Sequence, residues 1–186
     1  MATLFVDKVD PQSGTSLEIG SSGDTITIPS GCTITNNGTQ TGFGGTMTPY
    51  FRAFSSTNQN MSNATKTKVT FGGETFDTNN DFASSRFTPT VAGKYYIACQ
   101  LNTTYSGTAP VNEYIYLEKN GTDHMTGAMR GNGHGYGFMF VADIISFNGS
   151  SDYVEIKAYG DNTTAYIIEG NASGERTVFY GYKIIE

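Results

Sequence analysis

Residues 130–138 read Arg130-Gly131-Asn132-Gly133-His134-Gly135-Tyr136-Gly137-Phe138 and place glycine at every second position. On a strand, one face of this run is bare, while Asn132, His134, Tyr136 and Phe138 share the other. A phosphate-binding loop needs a lysine and a strand-to-helix setting, and neither is present. Two readings stay open. The bare face permits close packing, or the segment is a surface-binding loop displaying Arg130, His134 and Tyr136.

Other candidate chemistry is sparse. His124 and His134 are the only histidines, and neither lies near a cysteine in sequence. Metal sites usually need three or four ligands at close spacing, so no metal is expected. Asp161-Asn162 and Asn120-Gly121-Thr122-Asp123 carry oxygen ligands but lack the acidic density of an EF-hand, and read as turns. No nucleophile elbow, His-Glu-x-x-His motif or local Cys-His pairing appears. No catalytic residue and no cofactor is expected. Cys32 and Cys99 read as two reduced thiols.

Charge narrows the partners. The net charge is −6, and the 11 basic residues are scattered singly, so phosphate backbones and nucleic acid are poor ligands. No apolar run is long enough to span a membrane. Met1–Asp7 lack the basic and apolar regions of a signal peptide. Without such a signal, the Asn-x-Ser/Thr triplets at Asn37, Asn60, Asn63, Asn102, Asn120, Asn148, Asn162 and Asn171 carry little weight as glycosylation sites.

The elements that position these residues are β-strands. Only 15% of residues are charged, and β-branched, aromatic, Gly and Asn residues dominate, a mixture suited to strands and turns. From Met47 onward, runs near 50–54, 68–71, 86–89, 95–105, 113–119, 137–147, 153–158, 165–169 and 177–185 alternate with turn formers. That spacing predicts an all-β antiparallel sandwich over 47–186. Asn120-Gly121 and Asn148-Gly149 read as hairpin turns.

Residues 1–46 differ. Leu17-Glu18-Ile19, Ile26-Thr27-Ile28 and Cys32-Thr33-Ile34 are short alternations between turn formers, which predicts a β-rich stem. Rungs this short bury no core alone and need identical rungs or a foreign surface. Thr41–Gly45 reads as a hinge. Leu4-Phe5-Val6-Asp7-Lys8-Val9 and Gly23-Asp24-Thr25-Ile26-Thr27-Ile28-Pro29-Ser30-Gly31 resemble the N-terminal arms of structural proteins in marine tailed phages. That resemblance implies a virion protein made in the host cytoplasm, with Leu4, Phe5, Val6 and Val9 docking on the particle.

A second resemblance covers residues 47–186. Phe71, Asp77, Phe82, Phe87, Gly93 and Tyr95 follow the aromatic framework of the globular heads of complement component one-q, which share a fold with tumour necrosis factor. Lys119-Asn120-Gly121, Ser151-Asp152-Tyr153-Val154-Glu155-Ile156 and Phe179-Tyr180-Gly181-Tyr182 match later parts of it. The Phe82–Phe87 gap is two residues short, and Ile97 and Cys99 replace two aromatics. The family also places a Gly pair before the strand at 137. The resemblance implies a jelly roll and a non-enzymatic binding module that packs as a homotrimer.

The expected trimer contacts are Ile26, Ile28 and Ile34 in the stem and Tyr96, Tyr114, Phe138 and Tyr180 in the head. Each interface is expected to bury on the order of 2,000 Å² or more, as obligate assemblies do. Functionally, a capsid decoration or head fibre whose head projects outward stands beside a tail-fibre or adhesin tip. The latter would bind a bacterial surface glycan or protein. A cellular complement-like module would be expected to show a signal peptide and a collagen-like stalk.

Overall fold

The computed structural model describes residues 6–38, 47–108, 110–130, 136–161 and 165–185, with backbone alone at 106, 129, 130 and 165. The chain divides into two compact units, residues 1–41 and 42–186. The expected boundary at 46/47 lies beside this division, and the reading of 41–45 as a hinge falls outside the described residues.

The head contains thirteen strands among the described residues and no helix. They are β1 (Tyr50–Phe54), β2 (Gln59–Met61), β3 (Thr67–Lys68), β4 (Gly73–Asp77), β5 (Phe82–Ala83), β6 (Arg86–Phe87), β7 (Gly93–Ser106), β8 (Asn112–Lys119), β9 (Thr122–Arg130), β10 (Tyr136–Phe147), β11 (Val154–Gly160), β12 (Ala165–Ile168) and β13 (Val178–Lys183). One antiparallel sheet runs β10-β7-β13-β1-β4, with β12 and β2 continuing along the far half of β7. The other runs β5-β6-β11-β8-β9, with β3 beside β11. Two face-to-face antiparallel sheets make a jelly-roll sandwich, as the alternation of in and out residues requires.

The inner faces meet in an aromatic core. Phe51 stacks on Phe87 at 4.2 Å and on Phe82 at 5.2 Å, and meets the edge of Phe179 at 5.0 Å. Tyr95 packs edge-on against Phe87 and Phe147 and donates its hydroxyl to the Val91 carbonyl at 2.6 Å. The framework residues thus have physical tasks. Phe71, Phe82, Phe87 and Tyr95 are buried, and the Asp77 carboxylate accepts the Phe82 amide at 2.8 Å, fixing the turn into β5. Gly93 opens β7 at φ +141°, a conformation that strains any side chain.

Of the two hairpin turns expected from the sequence, one needs correction. Asn120-Gly121 is a hairpin turn, with both residues at positive φ between β8 and β9. Asn148-Gly149 is not. β10 pairs with β7 and β11 with β8, so this turn carries the chain from one sheet to the other. Its Asn148 side chain accepts the amides of Ser150, Ser151 and Asp152 at 3.0 Å, an Asx arrangement that makes a turn without a ladder.

The stem forms no ladder in the single chain. Among described residues 6–38 no strand forms, and Leu17, Ile19, Ile26, Ile28 and Ile34 are exposed. In one chain these rungs have no neighbour to complete a ladder.

Candidate assembly face

The outward side of the β10-β7-β13-β1-β4 sheet is aromatic and aliphatic. Pairing register builds it row by row. Tyr96 on β7 is opposite Ile144 on β10 and Tyr182 on β13, and Tyr182 is opposite Tyr50 on β1. The next row runs Ala142, Ala98, Tyr180, Arg52 and Phe76 across the same five strands. Gln100 and Phe140 follow, then Asn102 and Phe138. Alternation sends Ile97, Cys99, Val141 and Phe179 into the core and leaves these residues facing out.

Phe138, Phe140 and Ile144 are 55%, 45% and 54% exposed, and Tyr50, Phe76 and Tyr182 join them above a third. Six large apolar side chains exposed on one sheet face make it a candidate interaction surface. The rings are organised: Tyr96 and Tyr182 lie 5.5 Å apart and tilted, and Tyr50 meets Phe76 edge-on at 5.3 Å. A cleft of about 500 Å³ opens among Met47, Tyr50, Arg52, Phe76, Tyr180 and Tyr182. Arg52 forms its polar wall, its guanidinium held by the Thr75 hydroxyl at 2.7 Å and the Gly174 carbonyl at 2.6 Å. Burial, and then the neighbouring Tyr96, Cys99 and Tyr182, push the Tyr180 phenol above its ordinary value. It stays neutral and suits a partly dry contact.

Tyr96, Phe138 and Tyr180 therefore share one face. Tyr114 does not. It stands on β8 in the other sheet, tilted against Tyr116 at 6.0 Å and Tyr159 at 5.8 Å. Ile26, Ile28 and Ile34 belong to the N-terminal unit.

Of the surface-binding residues, Tyr136 opens β10 and is 74% exposed. The Arg130 backbone ends β9 opposite Asn112. The Arg130 side chain and His134 lie outside the described residues, as do Leu4 and Phe5. Val6 and Val9 are both exposed.

Sequence reasoning missed Tyr50, Phe76 and Ile144. Tyr50 and Ile144 had a readable signal, since each alternates with buried neighbours in a strand already expected. Phe76 had none, because β4 is short and glycine-led.

The opposite sheet carries charge in matched pairs. Glu118, 1% exposed, binds Lys66 and Lys157, and Lys66 also binds Asp123. Glu155 accepts from Lys68 at 2.8 Å and Arg86 at 2.9 Å. Its burial raises the carboxyl pKa, but the two cations outweigh that and hold it below the usual range. Among the described residues no group of three or more His, Cys, Asp or Glu side chains is placed to hold a metal. No helix among them is long and apolar enough to cross a membrane.

No family model matches the chain, and no curated protein matches it either. Solved structures do. The globular domain of zebrafish complement 1qA aligns over 73% of this chain and 97% of its own, at 18% identity and a TM-score of 0.52. Murine APRIL aligns over 73% and 98%, at 10% identity and 0.56. The Eiger TNF of S. frugiperda aligns over 73% and 90%, at 10% identity and 0.50. At such identities the likeness establishes the fold: an antiparallel jelly-roll sandwich of the complement one-q and tumour necrosis factor type.

Proposed function

We propose that this protein is a non-enzymatic homotrimer serving as a structural component of a bacterial-virus particle, as a capsid decoration or head fibre. Three heads associate through the outward face of the β10-β7-β13-β1-β4 sheet, and Leu4, Phe5, Val6 and Val9 dock the arm on the particle. The observation that carries the trimer is the exposed aromatic face itself. A monomer would leave Phe138, Phe140, Ile144, Tyr50, Phe76 and Tyr182 in water together. The face has two unlike halves, an aliphatic and aromatic edge on β10 and a cleft at β1 and β13. A contact between unlike halves is head-to-tail, and with a rotation of about 120° per copy it closes into a three-membered ring. The virion setting is supported by the arm's resemblance to phage structural proteins.

A tail-fibre or adhesin tip is the second reading, favoured by one observation: Tyr136 is the most exposed large hydrophobic side chain among the described residues of the head. A tyrosine presented this way suits recognition of a surface glycan or protein.

Light scattering at micromolar concentration tests the assembly. Three chain masses are expected, and a clean monomer ends the proposal. Mass spectrometry of purified particles tests the setting. Hundreds of copies indicate decoration, a few to a few dozen indicate a tail appendage, and absence refutes both.

A further inference from the structure

Residues 17–38 hold their turns without holding their strands. The Asp24 amide donates to the Ser21 carbonyl at 3.0 Å, and the Ser21 amide returns to the Asp24 carboxylate at 2.7 Å. The Cys32 amide donates to the Pro29 carbonyl at 3.1 Å, and the Gly38 amide to the Asn36 side chain at 2.9 Å. Gly23 and Gly31 take φ of +95° and +85° inside the first two turns, where a side chain would be strained. Those turns begin eight residues apart, and the third follows seven later. The corners of a regular repeat are therefore in place in a single chain.

The runs between corners have no partners. The backbones of Thr25–Ile28 and Thr33–Thr35 make no hydrogen bond to any other described residue. As strands, they would put Ile26 with Ile28, and Cys32 with Ile34, on one side and threonines on the other. The three isoleucines are 49–58% exposed.

Both backbone edges of each run are open. A foreign surface adds a strand to one edge and leaves the other bare. Three identical stems with two runs each supply six short strands, enough for an arrangement in which every edge has a neighbour. Identical chains also have identical corner spacing, so their runs match in length.

We infer that residues 17–38 form a stem shared by three copies of this chain. Thr25–Ile28 and Thr33–Thr35 hydrogen-bond between chains, and Ile26, Ile28 and Ile34 converge on the common axis. The inference rests on the trimeric reading of the head and adds a second, separable interface to it.

Cys32 is the reporter. It is exposed in the single chain, and Cys99 is fully buried in the head. The full-length protein is treated with N-ethylmaleimide under native conditions, labelling is read by mass, and amide hydrogen exchange is followed over 17–38. In the assembled wild type, Cys32 is expected to label roughly tenfold or more slowly than in the double variant Ile26→Asp/Ile28→Asp, because reaction must wait for the stem to open. Amides of both runs should be protected in the wild type alone. Unlabelled Cys99 in the variant shows that its head is intact. A trimer mass with Cys32 labelling at the variant's rate overturns the shared stem and leaves the head trimer standing. Protection in a monomer overturns it in favour of a stem folded on its own chain. Protection gained only with added particles overturns it in favour of docking.

Discussion

Tyr96 and Tyr182 sit side by side on β7 and β13, ring centroids 5.5 Å apart, on the sheet face that points away from the core. Neither ring helps to fill the sandwich, so this pair can be changed without opening a cavity. Replacing Tyr182 by Ala is expected to weaken the trimer by about 2 kcal/mol, the scale of an aromatic interface anchor. Sedimentation equilibrium reads the shift, and an unchanged association constant removes this face from the interface.

A stronger version pairs Phe140→Asp with Ile144→Asp. Both side chains are exposed in the single chain, so the fold should persist while charge blocks association. The expected product is a folded monomer with unchanged far-ultraviolet circular dichroism. A trimer with both aspartates would place the interface elsewhere.

The core behaves oppositely. Phe51 stacks between Phe82 and Phe87 and meets Phe179. Phe51→Ala should therefore cost about 3–5 kcal/mol through lost burial and a residual cavity. Chemical denaturation measures it, and a loss under 1 kcal/mol would show that the ring stack contributes little.

Glycines at two turns separate strain from clash. Gly121 is at φ +78°, and a Cβ there would meet the Tyr153 hydroxyl oxygen at an ordinary 3.5 Å. Gly121→Ala should cost about 1–2 kcal/mol from backbone strain alone. Gly149 is at φ +72°, and a Cβ there would run into the backbone of Val91 and Ala92. Gly149→Ala should cost distinctly more, and equal losses in thermal unfolding would contradict this.

Glu113 gives a pH signature. Its carboxyl is buried, one oxygen accepting the Thr103 hydroxyl at 2.8 Å. Burial raises its pKa against the opposing pull of Thr103 and Tyr166. A raised folded-state pKa means its contribution is fully present below the unfolded value and lost as pH rises through the folded one. Glu113→Gln keeps an acceptor for Thr103 and removes the charge. The variant should be more stable than the wild type at pH 7, with the difference shrinking towards pH 4. Glu155 runs the other way: its depressed pKa contributes stability above the unfolded value that fades as acid protonates it. Wild-type and variant melting curves across this range check both signs.

Strands such as β7, β8 and β11 were legible because apolar and polar residues alternate cleanly along them. β9 was not. Thr122–Arg130 has few β-branched or aromatic residues and little buried surface, and it is a strand because β8 offers it an edge. β2, β4 and β5 are too short to show a period. The same limit explains Tyr114: alternation shows that it faces out, but not which sheet it faces out from. Its pooling with Tyr96 and Tyr180 needed the pairing of β8 with β11 to be undone. Asn148-Gly149 failed for a related reason, since a turn residue pair marks a reversal and says nothing about where the next strand goes. The stem's alternation was legible, but among described residues 6–38 it builds no strand in the single chain.

The head's first strand begins at Tyr50 and is flanked on both sides, by β13 along five residues and by β4 along four. Tension arriving along the connecting chain therefore enters a strand that is not an edge of its sheet. Pulling β1 free requires two ladders to fail at once, where an edge strand would peel from a single neighbour. A module tethered this way is suited to bear mechanical load, and its weakest link under force is expected upstream of Tyr50.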